Sequence, residues 1–147
     1  MAIIAAVILT LAGVTISAPT GWHEVERTED RLDLQSADNR EQATISVMRF
    51  RKALSFESFK RLSAVRYEAE KKVGPDIFIE PDNPKPSQKK DYFCMLYTGG
   101  EKKGGRIFSC SMRLVGNELV TVYVEGSGVA PEKHLKSFEF FVKELKQ

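Results

Sequence analysis

RIFSCSMRLVGNELVTVYVE, Arg106 to Glu125, is the stretch that decides the fold. Two runs rich in β-branched and aromatic residues flank Gly116-Asn117, the pattern of a hairpin closed by a two-residue turn. Such a turn fixes register, setting Leu114 opposite Leu119, Met112 opposite Thr121 and Cys110 opposite Tyr123. Upstream, Asp91 to Thr98 reads as a third strand. If the connecting hairpin closes symmetrically about Gly99 to Gly105, Cys94 falls opposite Cys110, on one sheet face with Leu96, Phe108 and Met112. The other face, with Phe93, Met95, Val120, Val122 and Val124, is also apolar, so the sheet is expected to be covered on both sides.

Working outward, Ser55 to Val73 changes to a helical period. Phe59, Leu62, Val65, Ala69 and Val73 recur at spacings of three and four, which predicts an apolar face turned to the core. Ser55 is an N-cap and Gly74-Pro75 a stop. A second helix opens near Pro131, with Leu135, Phe138, Phe141, Val142 and Leu145 as its stripe. Trp22 to Glu26, Arg31 to Ser36 and Ala43 to Arg51 alternate as strands; Ile77 to Ile79 is a short apolar piece, and Glu80 to Asp91, with three prolines, is a loop. The expected class is α+β, an antiparallel sheet flanked by two main helices.

The first twenty-three residues, Met1 to His23, carry no Asp, Glu, Lys or Arg, and Ile3 to Ile16 is almost wholly apolar. That length suits the apolar region of an export signal and falls short of a spanning helix. The expectation is a signal peptide over residues 1–18, cleaved near Ala18, and one sandwich domain over 19–147, acting in the periplasm with no membrane insertion of the mature protein. The alternatives are a buried first strand and an uncleaved anchor.

With 22 basic and 20 acidic residues interspersed, the chain has no field that argues for nucleic acid. In an oxidising compartment the cross-strand placement of Cys94 and Cys110 reads as a disulfide, against two buried free thiols. His23 and His134 are the only histidines, and nothing near them has ligand or triad spacing, so no catalytic residue, metal or cofactor is expected. His134 reads as a partly exposed helical residue. The loop Gly99 to Gly105 and the Pro-rich connection are the candidate recognition loops, giving Lys102, Lys103, Arg106, Glu101 and Asp82 as partner-binding residues.

Gly21-Trp22, the strand ATISVMRF at Ala43 to Phe50, and ELVTVYVEGSG at Glu118 to Gly128 leading into the last helix resemble the PsbP-like α/β/α sandwich. That superfamily includes photosystem extrinsic proteins, envelope proteins of the DcrB type and certain periplasmic immunity proteins. The resemblance implies a non-catalytic scaffold that binds another macromolecule. The reading that follows is an exported immunity protein that occludes the active site of a type VI secretion toxin. A DcrB-type ligand-binding protein, with a pocket near Trp22 and Tyr123, is the alternative.

Overall fold

The computed structural model describes residues 6–146. In chain order the elements are β1 (Ala6–Leu11), β2 (Val14–Pro19), β3 (His23–Arg27), β4 (Arg31–Gln35), β5 (Glu41–Arg49) and α1 (Phe56–Lys71). There follow β6 (Ile77–Glu80), β7 (Ser87–Gln88), β8 (Phe93–Glu101), β9 (Arg106–Val115), β10 (Glu118–Ser127) and α2 (Pro131–Val142), which runs into a 3₁₀ turn at Lys143–Lys146. The main sheet has the order β3-β4-β5-β10-β9-β8-β6, all neighbours antiparallel, with β7 on the edge of β8. One helix lies on each face, so the mixed α+β sandwich expected from the sequence is the fold.

The β9–β10 hairpin has the expected register, Leu114 opposite Leu119 and Cys110 opposite Tyr123. Gly116 takes φ 62 and Asn117 does not, so only the first central residue needs the left-handed region, the type II′ pattern. Alternation then sends Val120, Val122 and Val124 of β10 to the α2 face with Ala43, Ile45 and Val47 of β5. Phe108, Cys110, Met112 and Leu114 of β9 go to the α1 face.

The register of β8 on β9 differs from the expectation. Cys110 lies opposite Tyr97, three residues past Cys94, and Cys94 lies opposite Arg113. Gly99 and Gly100 belong to the strand and not to the loop, because β6 pairs there, Ile79 with Gly99 and Phe78 with Gly100. A Cβ on Gly99 would stand 2.2 Å from the Phe78 carbonyl oxygen and 2.7 Å from the Phe108 ring. The true connection is the shorter Lys102 to Gly105. An odd shift exchanges the faces of a strand. Met95 and Tyr97 therefore pack under α1, Cys94 and Leu96 point the other way, and both cysteines are free thiols on opposite faces of the sheet. The expected Cys94–Cys110 disulfide is thus corrected.

The stretch read as an export signal is, from Ala6 onward, a β-hairpin; Met1 to Ala5 lie outside the described residues. Its turn is Ala12-Gly13, both at positive φ. The hairpin shares the α2 face of the sheet: Leu11, Ile16 and Ala18 are buried with Trp22, Leu34, Phe141 and Val142. Arg27 and Arg49 tie it down by donating to the carbonyl oxygens of Thr10 and Ala12. Cleavage near Ala18 and this core make competing claims on the same residues. Replacing Ile16, 3% exposed, by Ala is expected to cost about 2–5 kcal/mol of stability in urea unfolding, as for other buried aliphatics. A chain lacking residues 1–18 should lose cooperative unfolding.

Candidate functional site

The residues singled out for partner binding do not converge. Lys102 and Lys103 are exposed at the β8–β9 tip, whose backbone is held by Asp76: its carbonyl oxygen accepts from the Lys102 N–H at 2.9 Å and its carboxylate from that of Lys103 at 3.3 Å. Glu101 sits beside them, half-buried, opposite Ile77. Asp82 is exposed beyond Glu80, at the far end of β6 from the tip.

Arg106 turns inward. Its Nε donates to Glu125 at 3.0 Å and its Nη2 to the Tyr123 hydroxyl at 2.5 Å, while Glu70 of α1 lies 3.8 Å away. Glu70 accepts from the Tyr97 hydroxyl at 3.0 Å, and the Arg66 guanidinium stacks 5.1 Å from the Tyr123 ring centre. A carboxylate, two arginines and two tyrosines thus meet between α1 and the sheet. Burial pushes both phenols well above their ordinary range, so they stay protonated. Burial likewise pushes the Cys110 thiol up to about 11, which makes it inert. Native-state titration with a thiol reagent should modify half-buried Cys94 and leave Cys110 unreacted until denaturant is added.

This cluster sets the rotation of α1. Ser55 caps the helix as expected, accepting from the Ser58 N–H at 3.1 Å. The buried stripe, however, is Phe59, Ser63, Tyr67 and Glu70. Glu70 is drawn in by Tyr97 and Arg106, and the Tyr67 hydroxyl accepts from the Asn83 N–H at 3.1 Å. Of the expected inward stripe Phe59 is buried and Leu62 packs against the core, whereas Ala69 is exposed, Val65 is 69% exposed and Val73 63%. Along that flank lie two open depressions. One, of about 320 Å³, is lined by Phe50, Leu54, Arg61, Leu62 and Val65; the other, of about 260 Å³, by Arg66, Ala69, Glu70, Val73 and Tyr123.

Under α2 the polar groups form a second cluster. His134, expected to be partly exposed, is fully buried, and Glu41 and Ser109 are buried with it. Ser109 Oγ is 2.8 Å from His134 Nε2 and 2.9 Å from Thr98 Oγ1. Ser137 donates to Glu41 Oε2 at 3.0 Å, leaving Glu41 Oε1 and His134 Nδ1 3.8 Å apart with no other partner. Serine, imidazole and carboxylate stand in the order of an acyl-transfer triad. Ser109 and His134 have no exposed surface, so in this fold a substrate cannot reach them. Beside this cluster a cleft of about 280 Å³ opens between α2 and β8, lined by Leu96, Leu135, Phe138 and Thr98. The pocket expected near Trp22 and Tyr123 does not form, because Trp22 packs edge-on against Phe141 at 4.9 Å on the α2 face and Tyr123 lies under α1.

Both buried groups favour their neutral forms: desolvation lowers His134 to about 4 and raises Glu41, the latter opposed by the Ser137 bond. The nearest outer charges, Lys133 and Asp38, pair with each other at 3.1 Å. His134 therefore contributes stability above its ordinary value of 6.5 that is lost as pH falls through about 4. Glu41 contributes stability below its ordinary value of 4.5 that is lost as pH rises through its raised value. In mildly acidic solution the two effects oppose each other. Glu41→Gln should gain on the parent on the alkaline side, by up to about 1.4 kcal/mol per pH unit, and His134→Gln should flatten the acid limb, both read as urea midpoints against pH.

The comparisons with known proteins speak to the fold. No protein-family model matches the chain, and no curated protein sequence does either. Among solved structures it is similar to the cyanobacterial PsbP protein (CyanoP) of Synechocystis sp. PCC 6803, at TM-score 0.62 and 15% identity, over 98% of this chain and 88% of that one. It is also similar to a Bacteroides thetaiotaomicron protein of known crystal structure, at TM-score 0.53 and 15% identity, over 87% of this chain. The match spans 44% of that protein's length. The chain therefore has a PsbP-like fold.

Proposed function

We propose that this chain is a non-enzymatic binding protein of the periplasm, an immunity protein that blocks a cognate type VI secretion toxin by covering its active site. The observation that carries the reading is the solvent-facing stripe of α1. Contiguous exposed apolar side chains on a folded surface mark interaction sites, and Val65 and Val73 stand out while Leu62 lines the groove beside them. The Lys102–Lys103 tip, braced by Asp76, is a second element able to reach an acidic cleft. Export is inferred from the uncharged first twenty-three residues, and N-terminal sequencing of protein taken from the envelope fraction tells whether the β1–β2 hairpin is kept.

The test is affinity capture from the native envelope followed by reconstitution with the purified partner. A single secreted toxin, recovered in stoichiometric amount and inhibited by the added chain, is the expected result. Lys102→Glu with Lys103→Glu should weaken that complex if the tip enters the toxin's cleft, and unchanged affinity excludes the tip. A second reading, a DcrB-type small-ligand protein, is favoured by the largely apolar cleft between α2 and β8. A small molecule retained through purification and lost in Leu96→Glu, with no toxin partner, would replace the first reading with the second.

A further inference from the structure

The two depressions on the flank of α1 are consecutive along one helix. Phe50 and Leu54 close the N-terminal end, and Tyr123 floors the C-terminal end. They follow one another along a helix of 16 residues, roughly 24 Å long. Beside it the sheet is bare of any helix: Met48 of β5, on the same face as Leu119, is 54% exposed. The first depression, with Phe50, Leu54, Leu62 and Val65 in its walls, is largely apolar and open.

In the first depression the charged lining residue is a cation, whereas the second holds Arg66 and Glu70 together. Arg61 lines the first, and Arg51 and Lys52 precede Leu54 on the exposed approach. Among the described residues none of these three cations has an ion-pair partner. The carboxylate on this flank, Glu70, is already engaged by Tyr97 and Arg106. Glu57 is paired with Lys60. A second copy of this chain is a poor occupant, because a two-fold contact would set Arg51, Lys52 and Arg61 against themselves.

We propose that the flank of α1 from Leu54 to Val65 docks a partner protein that presents an apolar anchor side chain among carboxylates. The inference rests on the protein-binding reading above and moves its main contact from the β8–β9 tip to α1. The anchor seats between Leu54, Leu62 and Val65, and the carboxylates meet Arg61, Arg51 and Lys52 at the rim. The cations speed and orient the encounter, and the desolvated apolar contact holds it.

The probe is a set of short synthetic peptides rich in Asp and Glu around one central Leu or Trp, titrated into the full chain and followed by amide NMR shifts. Controls replace the carboxylates with Lys, or the central residue with Ser. The expected result is shifts at Leu54, Leu62 and Val65 with the acidic apolar peptide alone. Binding should weaken at least about tenfold in Val65→Asp and in Arg61→Glu, and fall with added salt. Both side chains are exposed, so the variants should unfold at the parent's urea midpoint. No shifts, shifts at the Lys102–Lys103 tip, equal binding of the Lys peptide, or a concentration-dependent dimer abolished by Val65→Asp would each overturn the proposal. A captured toxin that binds Val65→Asp and Arg61→Glu as tightly as the parent would overturn this surface and leave the immunity reading standing. Peptide binding at α1 with no toxin recovered would do the reverse.

Discussion

The close approach of β6 to β8 at Gly99 is the constraint on which the arrangement depends. With no side chain at Gly99, the Phe78 backbone lies against β8 and the Phe108 ring lies over it. A methyl group there would have to occupy the space of a carbonyl oxygen and an aromatic edge at once. This contact ends the hairpin at Lys102 to Gly105 and so selects the register of β8. Register then decides that Tyr97 faces α1, where its hydroxyl captures Glu70, and Glu70 in turn helps to fix the rotation of the helix. A two-glycine step in one strand thereby determines which face of a distant helix meets water.

This chain of dependence explains what was legible in the sequence. The β9–β10 pairing could be read because Gly116-Asn117 encodes it locally. The two helices could be read because their caps, Ser55 and Pro131, are local as well. The register of β8 could not. Glycines suit turns and close backbone approach equally, and only the partner strand tells which is meant. The face of α1 was misread for the same reason: the inward positions include Glu70 and Tyr67, polar residues that are buried only because distant strands and loops supply their partners. The displaced stripe of Leu62, Val65, Ala69 and Val73 is the sequence signal for the candidate site, visible as amphipathicity but assigned to the wrong surroundings.

The first nineteen residues show the same ambiguity in another form. An unbroken apolar run fits an export signal, a buried strand or a buried helix, and periodicity alone does not separate them. Ala12-Gly13 is the turn that makes it a hairpin, yet alanine is a weak turn signal. His134 was likewise read from its own helix, whereas its burial comes from Glu41 and Ser109 on two strands. Polar groups inside such a sandwich contribute less to net stability than to uniqueness of packing: each accepts few geometries, and together they oppose sliding of either helix over the sheet.

The hairpin of β1 and β2 packs against α2, so the first strands of the chain are completed by its last helix. Until α2 emerges, Leu11 and Ile16 have no helix to close over them, and the α2 half of the core stays open. This face of the sheet therefore reaches its final packing only once α2 has been made. The sandwich closes where β1 and β2 meet α2.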